Sequence, residues 1–380
     1  MDRFERLRAL TSQMHLEPSE EIGCSGFTLR KPINGMVHQA AMPNGKPFTL
    51  LKTLLTSACE RNCNYCPFRA GRNFKRATMK PEEMARSFMR LHEEGGVEGL
   101  FLSSGVINGG VYTQDLLIDT AEILRNKLEF RGYMHLKIMP GAEREQVIRS
   151  MELADRVSTN LEAPNDQRLA NLAPNKEFLS ELLQPLKWVD EIRRNSPPLR
   201  NHNSRWPSSV TQFVVGPAGE TDLELLSTTD YLYRKIGLKR TYFSAFSPVE
   251  NTPFENTPAA DPKREYHLYQ ASFLIRDYGF SVEDLPFGST GNLPLDIDPK
   301  LAWAIINLQD FPIELTKASR QELLKIPGIG PKRASKILEY RRKGYLCAVN
   351  DLQQIDLNPY RSAPFVLING KKLPHQLCMF

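Results

Sequence analysis

From residue 47 to about residue 285, short apolar runs alternate with stretches whose apolar positions recur at helical spacing. A strand buried on both faces reads as a near-continuous apolar run, whereas an amphipathic helix repeats its apolar face roughly every 3.6 residues. The pattern predicts strands around 49–56, 98–103, 134–139, 156–161, 210–215 and 241–246. It predicts helices near 81–94, 114–129, 143–153, 176–194, 222–236 and 262–278. Pro81, Glu82 and Glu83 suit the opening turn of the first helix, since proline lacks a donor that turn would leave unpaired and acids complement the helix dipole. Strand and helix alternating in this order argue for a parallel sheet of βα units, with chemistry gathered at the carboxyl ends of the strands.

Composition refines this picture without overturning it. The chain has 380 residues, 41% hydrophobic and 24% charged, as expected of a soluble globular protein longer than one typical domain. Its apolar runs are all well short of the ~20 residues of a membrane span. The N-terminus lacks the charged, apolar and small-residue regions of a leader, which predicts a cytoplasmic protein in which disulfides are not expected.

Cys59, Cys63 and Cys66 follow the first strand in the order Cys-x3-Cys-x2-Cys. A loop of this length offers three thiolates, soft ligands that select an iron–sulfur cluster or zinc. Structural zinc normally needs a second Cys/His hook, and no histidine lies within twenty residues of Cys66. The cluster reading is therefore preferred, with Cys24, Cys347 and Cys378 as buried structural thiols elsewhere. Three ligands to a four-iron cubane leave one iron open to a small molecule.

The strand, the cysteine loop and the flanking Tyr65, Pro67 and Phe68 resemble the radical S-adenosylmethionine (SAM) superfamily. The resemblance implies a partial (βα)6 barrel of the TIM type. It also implies a [4Fe-4S] cluster whose open iron chelates SAM, and a 5′-deoxyadenosyl radical formed with a low-potential electron donor. Ser103, Ser104 and Gly105 stand where the family has a Gly-Gly-Glu-like turn for the SAM amino group, although the acid is missing. Ser158, Asn160 and Glu162 share one face by strand alternation and would meet SAM at the barrel mouth. Gly216 matches part of the family's adenine-side stretch, in which Thr211 replaces the first glycine and Glu220 reads as a helix-start acid. Phe246, or Phe243, is a candidate adenine shelf, with the core as the alternative for either ring. The long connection carrying His202, Arg205 and Trp206 is expected to be an exposed loop.

Beyond residue 295 the character changes. Ser319 to Glu322 form a capping box, and Ile326-Pro-Gly-Ile-Gly-Pro-Lys332 then leads into a second helix. The segment resembles a helix-hairpin-helix motif, whose glycines turn the backbone tightly and expose N–H groups to phosphate. Residues 317–343 hold nine Lys/Arg against two Glu, on a chain whose net charge is only +5, so basicity is concentrated here. Gly328, Gly330, Lys332, Arg333 and Lys336 are the candidate phosphate contacts. A second hairpin after Asn350 lacks the glycines.

The expected organisation is an extension over 1–46, a barrel over 47–294 and a small all-α nucleic-acid-binding domain over 295–380. The whole resembles radical SAM proteins of DNA modification or repair. That likeness implies radical chemistry on nucleic acid, DNA ahead of RNA, with a non-catalytic iron–sulfur binding protein as the rival reading. The sequence assigns no catalytic side chain.

Overall fold

The structure, a computed structural model, describes residues 2–12, 14, 37–41, 47–198, 204–346, 351 and 359–373. Cys24, Cys347, Cys378, His202 and, of the second hairpin segment, residues 350 and 352–358 lie outside them. Two compact units are present: Met1–Glu220 with Tyr231–Ala260, and Thr221–Asp230 with Asp261–Phe380. The stretch 261–294, which the sequence reading gives to the barrel, belongs to the second unit.

The first unit is built on a seven-stranded sheet in chain order. Its strands are β1 (Val37–Ala41), β2 (Pro47–Leu54), β3 (Gly99–Ser103), β4 (Tyr133–Lys137), β5 (Arg156–Ser158), β6 (Ser208–Val215) and β7 (Arg240–Ala245). β2 to β7 are parallel neighbours, the six strands expected, and β1 adds an antiparallel edge on β2. The sheet is the curled half-barrel of the radical SAM fold. All five residues of β3 are buried, as parallel strands covered on both faces require.

Helices α1 (Arg3–Thr11), α2 (Pro81–Glu93), α3 (Gly109–Glu122), α4 (Arg144–Leu153), α5 (Asp166–Leu172), α6 (Gln184–Asn195) and α7 (Asp222–Lys235) accompany the strands. Pro81 occupies the first turn of α2, and the Lys80 N–H donates to Glu83 at 3.0 Å. α3 begins earlier than its apolar period suggests, because Asn108 (φ 51°) and Gly109 (φ 88°) turn the chain in left-handed conformations. It runs on into a π-helical turn, Ile123–Lys127, that carries the buried Arg125. That guanidinium donates to the carbonyls of Leu153, Phe130 and Gly132 and pairs with Asp155 at 3.0 Å. One side chain thus ties α3 and α4 to the loop before β4 and to the start of β5.

The second unit contains α8 (Pro262–Tyr278), α9 (Pro299–Leu308), α10 (Arg320–Lys325), α11 (Pro331–Arg342) and α12 (Pro359–Ser362). It is not all-α. A three-stranded sheet joins β8 (Ile313–Glu314), β9 (Val366–Ile368) and β10 (Lys371–Lys372). Runs of two or three residues are too short to carry a period, so the sequence pattern gave no sign of them.

Candidate active site

The carboxyl ends of the strands in the first unit surround a chamber of about 160 Å³. Cys59, Cys63 and Cys66 line one side of it. Their loop is fixed by backbone bonds: the Glu60 N–H donates to Val106 O at 2.8 Å and the Asn64 N–H to Leu172 O at 2.8 Å. Arg76 closes the loop from behind, donating to the carbonyls of Ser57, Phe68 and Arg69 at 2.7 to 2.9 Å. Backbone N–H groups already point at two sulfurs, Val106 to Cys59 Sγ and Phe68 to Cys66 Sγ, each at 3.4 Å. Such donors stabilise thiolate charge. Burial pushes the Cys63 and Cys66 thiols up, so a thiolate here calls for a positive centre beside it. Among the described residues no group of three or more His, Cys, Asp or Glu side chains is arranged to hold a metal ion. The three cysteines border the chamber.

Ser103, the last residue of β3, with Ser104 and Gly105 after it, also lines the chamber, beside the cysteine loop. Gly105 has a steric reason: a β-carbon there would stand 2.1 Å from Ala58 O and 3.2 Å from Cys59 Cβ. Asn160 and Glu162, after β5, line the chamber together with Tyr65. Glu162 holds φ at 65°, a conformation a non-glycine residue keeps only when its surroundings enforce it. Here its N–H donates to Gln212 O at 3.0 Å, and its carbonyl accepts the Val214 N–H at 2.8 Å. Lys176 Nζ donates to Glu162 Oε1 at 2.9 Å. Burial first, and then the Glu162 charge, push the Tyr65 phenol well above its ordinary value.

Four buried polar atoms on this wall have no hydrogen-bond partner: Ser104 Oγ, Thr159 Oγ1, Glu162 Oε2 and Gln212 Oε1. Each such atom costs about 1–3 kcal/mol if left dry and unpaired. Their convergence on one chamber fits a ligand rich in donors and acceptors, and the three thiols supply the donor set for a cluster. The residues present therefore fit SAM and a [4Fe-4S] centre.

Ser158 sits deeper, in a crevice of about 10 Å³ below the chamber, 2.8 Å from His135 Nε2. Gly216 and Phe246 are not among the chamber's lining residues. Gly216 (φ 116°) turns the chain after β6, its N–H donating to Glu220. Phe246 is buried edge-on against Phe254. Trp206 donates its indole N–H to Ser196 O at 2.9 Å.

The sequence reading missed Lys137, Thr159, Lys176 and Gln212, all of which line the chamber. Lys137 donates to Asn160 Oδ1 at 2.6 Å. Gln114, fully buried on α3, holds this strand end by accepting the Met139 N–H at 2.7 Å. A signal existed: Lys137 and Gln212 are polar residues in otherwise buried strands, where such side chains are rarely found without a partner.

In the second unit, Ser319 Oγ accepts the Glu322 N–H at 3.2 Å and Glu322 accepts the Ser319 N–H at 2.7 Å, completing the expected capping box. Gly328 takes φ 83° between α10 and α11, open to glycine and strained for other residues. Buried Leu323, Leu324, Ile329, Ala334 and Ile337 form the apolar seam of the pair. Lys332 is exposed and Lys336 half-buried. Several other cations turn inward. Arg333 Nη1 donates to Gly328 O at 2.8 Å, Arg341 donates to Ala318 O, and Lys325 Nζ stands 4.8 Å from the Trp303 ring centre. The outward charge is thus narrower than the count of nine implies, with Lys317, Arg320, Lys332 and Arg342 among the exposed cations.

The fold and cysteine loop define a class, and comparison with known proteins agrees. Residues 53–232 match the Radical SAM superfamily and residues 313–340 match the helix-hairpin-helix motif. The chain thus carries a radical SAM domain and, near its C-terminus, a helix-hairpin-helix motif. A curated relative, ribosomal RNA small subunit methyltransferase A of Marinobacter nauticus, is 30% identical over 142 residues, 34% of this chain and 46% of that protein. Among solved structures, the FeFe-hydrogenase maturase HydG of Carboxydothermus hydrogenoformans has a TM-score of 0.47 at 18% identity, covering 60% of this chain and 51% of that one. Methylornithine synthase (PylB) has a TM-score of 0.47 at 11% identity, covering 60% and 61%. The chain spans about half the length of the first of these proteins in each comparison. Among the described residues no helix is long and apolar enough to cross a membrane.

Proposed function

We propose that Cys59, Cys63 and Cys66 hold a [4Fe-4S] cluster beside bound SAM, and that the enzyme applies the resulting radical chemistry to a nucleic acid, with DNA the first candidate. The observation that carries the cofactor half is the set of four unpartnered polar atoms that line the same chamber as the three cysteines. The substrate half rests on the glycine hairpin and its exposed cations. A thiolate-held cluster suits the reducing cytoplasm.

When bound, the cluster would supply one electron, taken from a low-potential donor, for reductive cleavage of the SAM sulfonium. The chain's own residues would bind, orient and shield. Ser104, Thr159, Asn160, Glu162 and Gln212 would bind polar groups of the cofactor, and Gly105 lets the β3 turn lie against the cysteine loop. Tyr65, Pro67 and Phe68 would cover the cluster and keep water away from a reactive centre. Gly328, Gly330 and Lys332 would grip backbone phosphate, with Lys336 beside them, fixing a strand without reading its bases.

The test is anaerobic reconstitution with iron, sulfide, SAM and a reductant, in the presence and absence of duplex DNA. Formation of 5′-deoxyadenosine, increased by DNA, is expected; no product under any condition would reject the enzymatic reading. The likeness to a ribosomal RNA methyltransferase favours RNA as a second reading. Competition between duplex DNA and structured RNA, with measured salt slopes, separates the two.

A further inference from the structure

The glycine hairpin is held from behind by two cations of its own unit. Lys300 Nζ, from the first turn of α9, donates to Ile329 O at 2.6 Å. Arg333 Nη1 reaches back to Gly328 O at 2.8 Å. These are consecutive carbonyls in the turn between α10 and α11. The peptide bond is planar and the described chain contains no cis peptide bond, so the carbonyl of one residue and the N–H of the next point in opposite directions. With Ile329 O drawn to Lys300, the Gly330 N–H must face away from Lys300. With Gly328 O drawn to Arg333, the Ile329 N–H faces the other way and donates to Ile326 O at 3.1 Å.

We propose that Lys300 and Arg333 are positioning residues that lock the hairpin's peptide planes, so that it offers the Gly330 N–H and withholds the Gly328 and Ile329 carbonyls from a phosphodiester. This rests on the nucleic-acid reading above. It gives Arg333 a different task from the phosphate contact its sequence position suggests, and it brings in Lys300, which lies outside the hairpin motif. A carbonyl turned outward would present negative charge to a ligand that carries only acceptors. Two cations behind the turn remove that repulsion and fix the donor directions before the ligand arrives, which is preorganisation.

The support around Lys300 is built for this. The Tyr278 ring lies 4.6 Å from its ammonium, and the Tyr278 hydroxyl would stand 3.1 Å from a β-carbon at Gly330. Asp298 draws the ammonium's charge while pairing with Arg361 at 2.6 Å, and Arg361 opposes it. Burial, helped by Arg361 and opposed by Asp298, brings the Lys300 ammonium down to about 7. A charged donor makes roughly twice the bond of a neutral one, so the lock weakens as Lys300 loses its proton.

The experiment measures binding of a fluorescent DNA duplex to the full-length protein, at fixed ionic strength, from about pH 6 to about pH 8.5. Lys300→Met should weaken binding about tenfold at the low end, the loss of one charge-assisted hydrogen bond. Wild-type affinity should fall across the range, whereas Lys300→Arg, which keeps its charge, should hold a flat profile. A merely structural lysine would not produce that contrast. Equal binding by wild type and Lys300→Met, or identical pH profiles for wild type and Lys300→Arg, overturns the proposal while leaving the nucleic-acid reading intact. Wild type that binds neither duplex nor structured RNA overturns both. If Lys300→Met does not fold, the wild-type and Lys300→Arg profiles still decide.

Discussion

Replacing Lys176 by methionine tests whether the chamber wall is organised around a buried ion pair. Lys176 and Glu162 stand 2.9 Å apart with side chains only 9% and 6% exposed. At an effective dielectric of ~20 their attraction is about 6 kcal/mol before solvation is counted. Desolvation offsets much of this, but removing one partner leaves the other as an uncompensated buried charge, which costs about 3–5 kcal/mol. Burial works against the Lys176 ammonium, yet it is raised overall, with the charge and hydrogen bond of Glu162 among the causes, so the lysine is held charged. Lys176→Met should therefore lower the unfolding free energy of the metal-free protein, measured by urea denaturation, by that amount. Lys176→Met with Glu162→Gln should recover part of the loss, because neither buried charge remains. The pair's coupling follows from the double-mutant cycle. A single mutant within ~0.5 kcal/mol of wild type, the scatter of ordinary surface changes, would refute the reasoning.

Further expectations follow from particular contacts. Gly105→Ala should displace the cysteine loop, since its β-carbon would overlap backbone at Ala58 O; cluster content after reconstitution should drop sharply, and full loading would contradict this. Arg125→Met should cost about 3–5 kcal/mol in urea denaturation, because Asp155 loses its buried cation and three carbonyls lose their donor. Lys332→Ala should reduce the slope of log affinity against log salt by about 1, where an unchanged slope removes Lys332 from the phosphate contacts. Lys300 sits below its unfolded value, so the unfolded chain binds more protons between about pH 7 and the ordinary lysine range. Stability of the full chain should accordingly rise with pH across that window, opposite in sign to DNA affinity, and Lys300→Met should flatten the rise.

The six parallel strands were legible because a strand covered on both faces must be apolar throughout, and such runs stand out between amphipathic helices. β1 was not, since its five residues carry His38 and Gln39 and join the sheet as an antiparallel edge. α5 is seven residues long, capped by Asn165 accepting the Arg168 N–H, too short to display a period. Of the residues that line the chamber, the cysteines were marked by their spacing, Tyr65 by its place before Cys66, and Ser104, Asn160 and Glu162 by their places after strands. Lys176 lies in an irregular connection and meets Glu162 only through the fold, so nothing local marked it. The same holds for Lys300, whose partner is 29 residues away. Gly216 and Phe246 came from likeness to a family pattern, and their side of the sheet instead serves a turn and an aromatic contact.

The central claim is that three cysteines leave part of a cluster open to SAM. The most direct measurement is the electron paramagnetic resonance spectrum of the reduced, anaerobically reconstituted protein with and without SAM. The account expects a [4Fe-4S] signal whose shape changes when SAM is added, and which loses that response in Glu162→Gln. A reconstituted protein that carries zinc, or a cluster whose spectrum is indifferent to SAM, would contradict it.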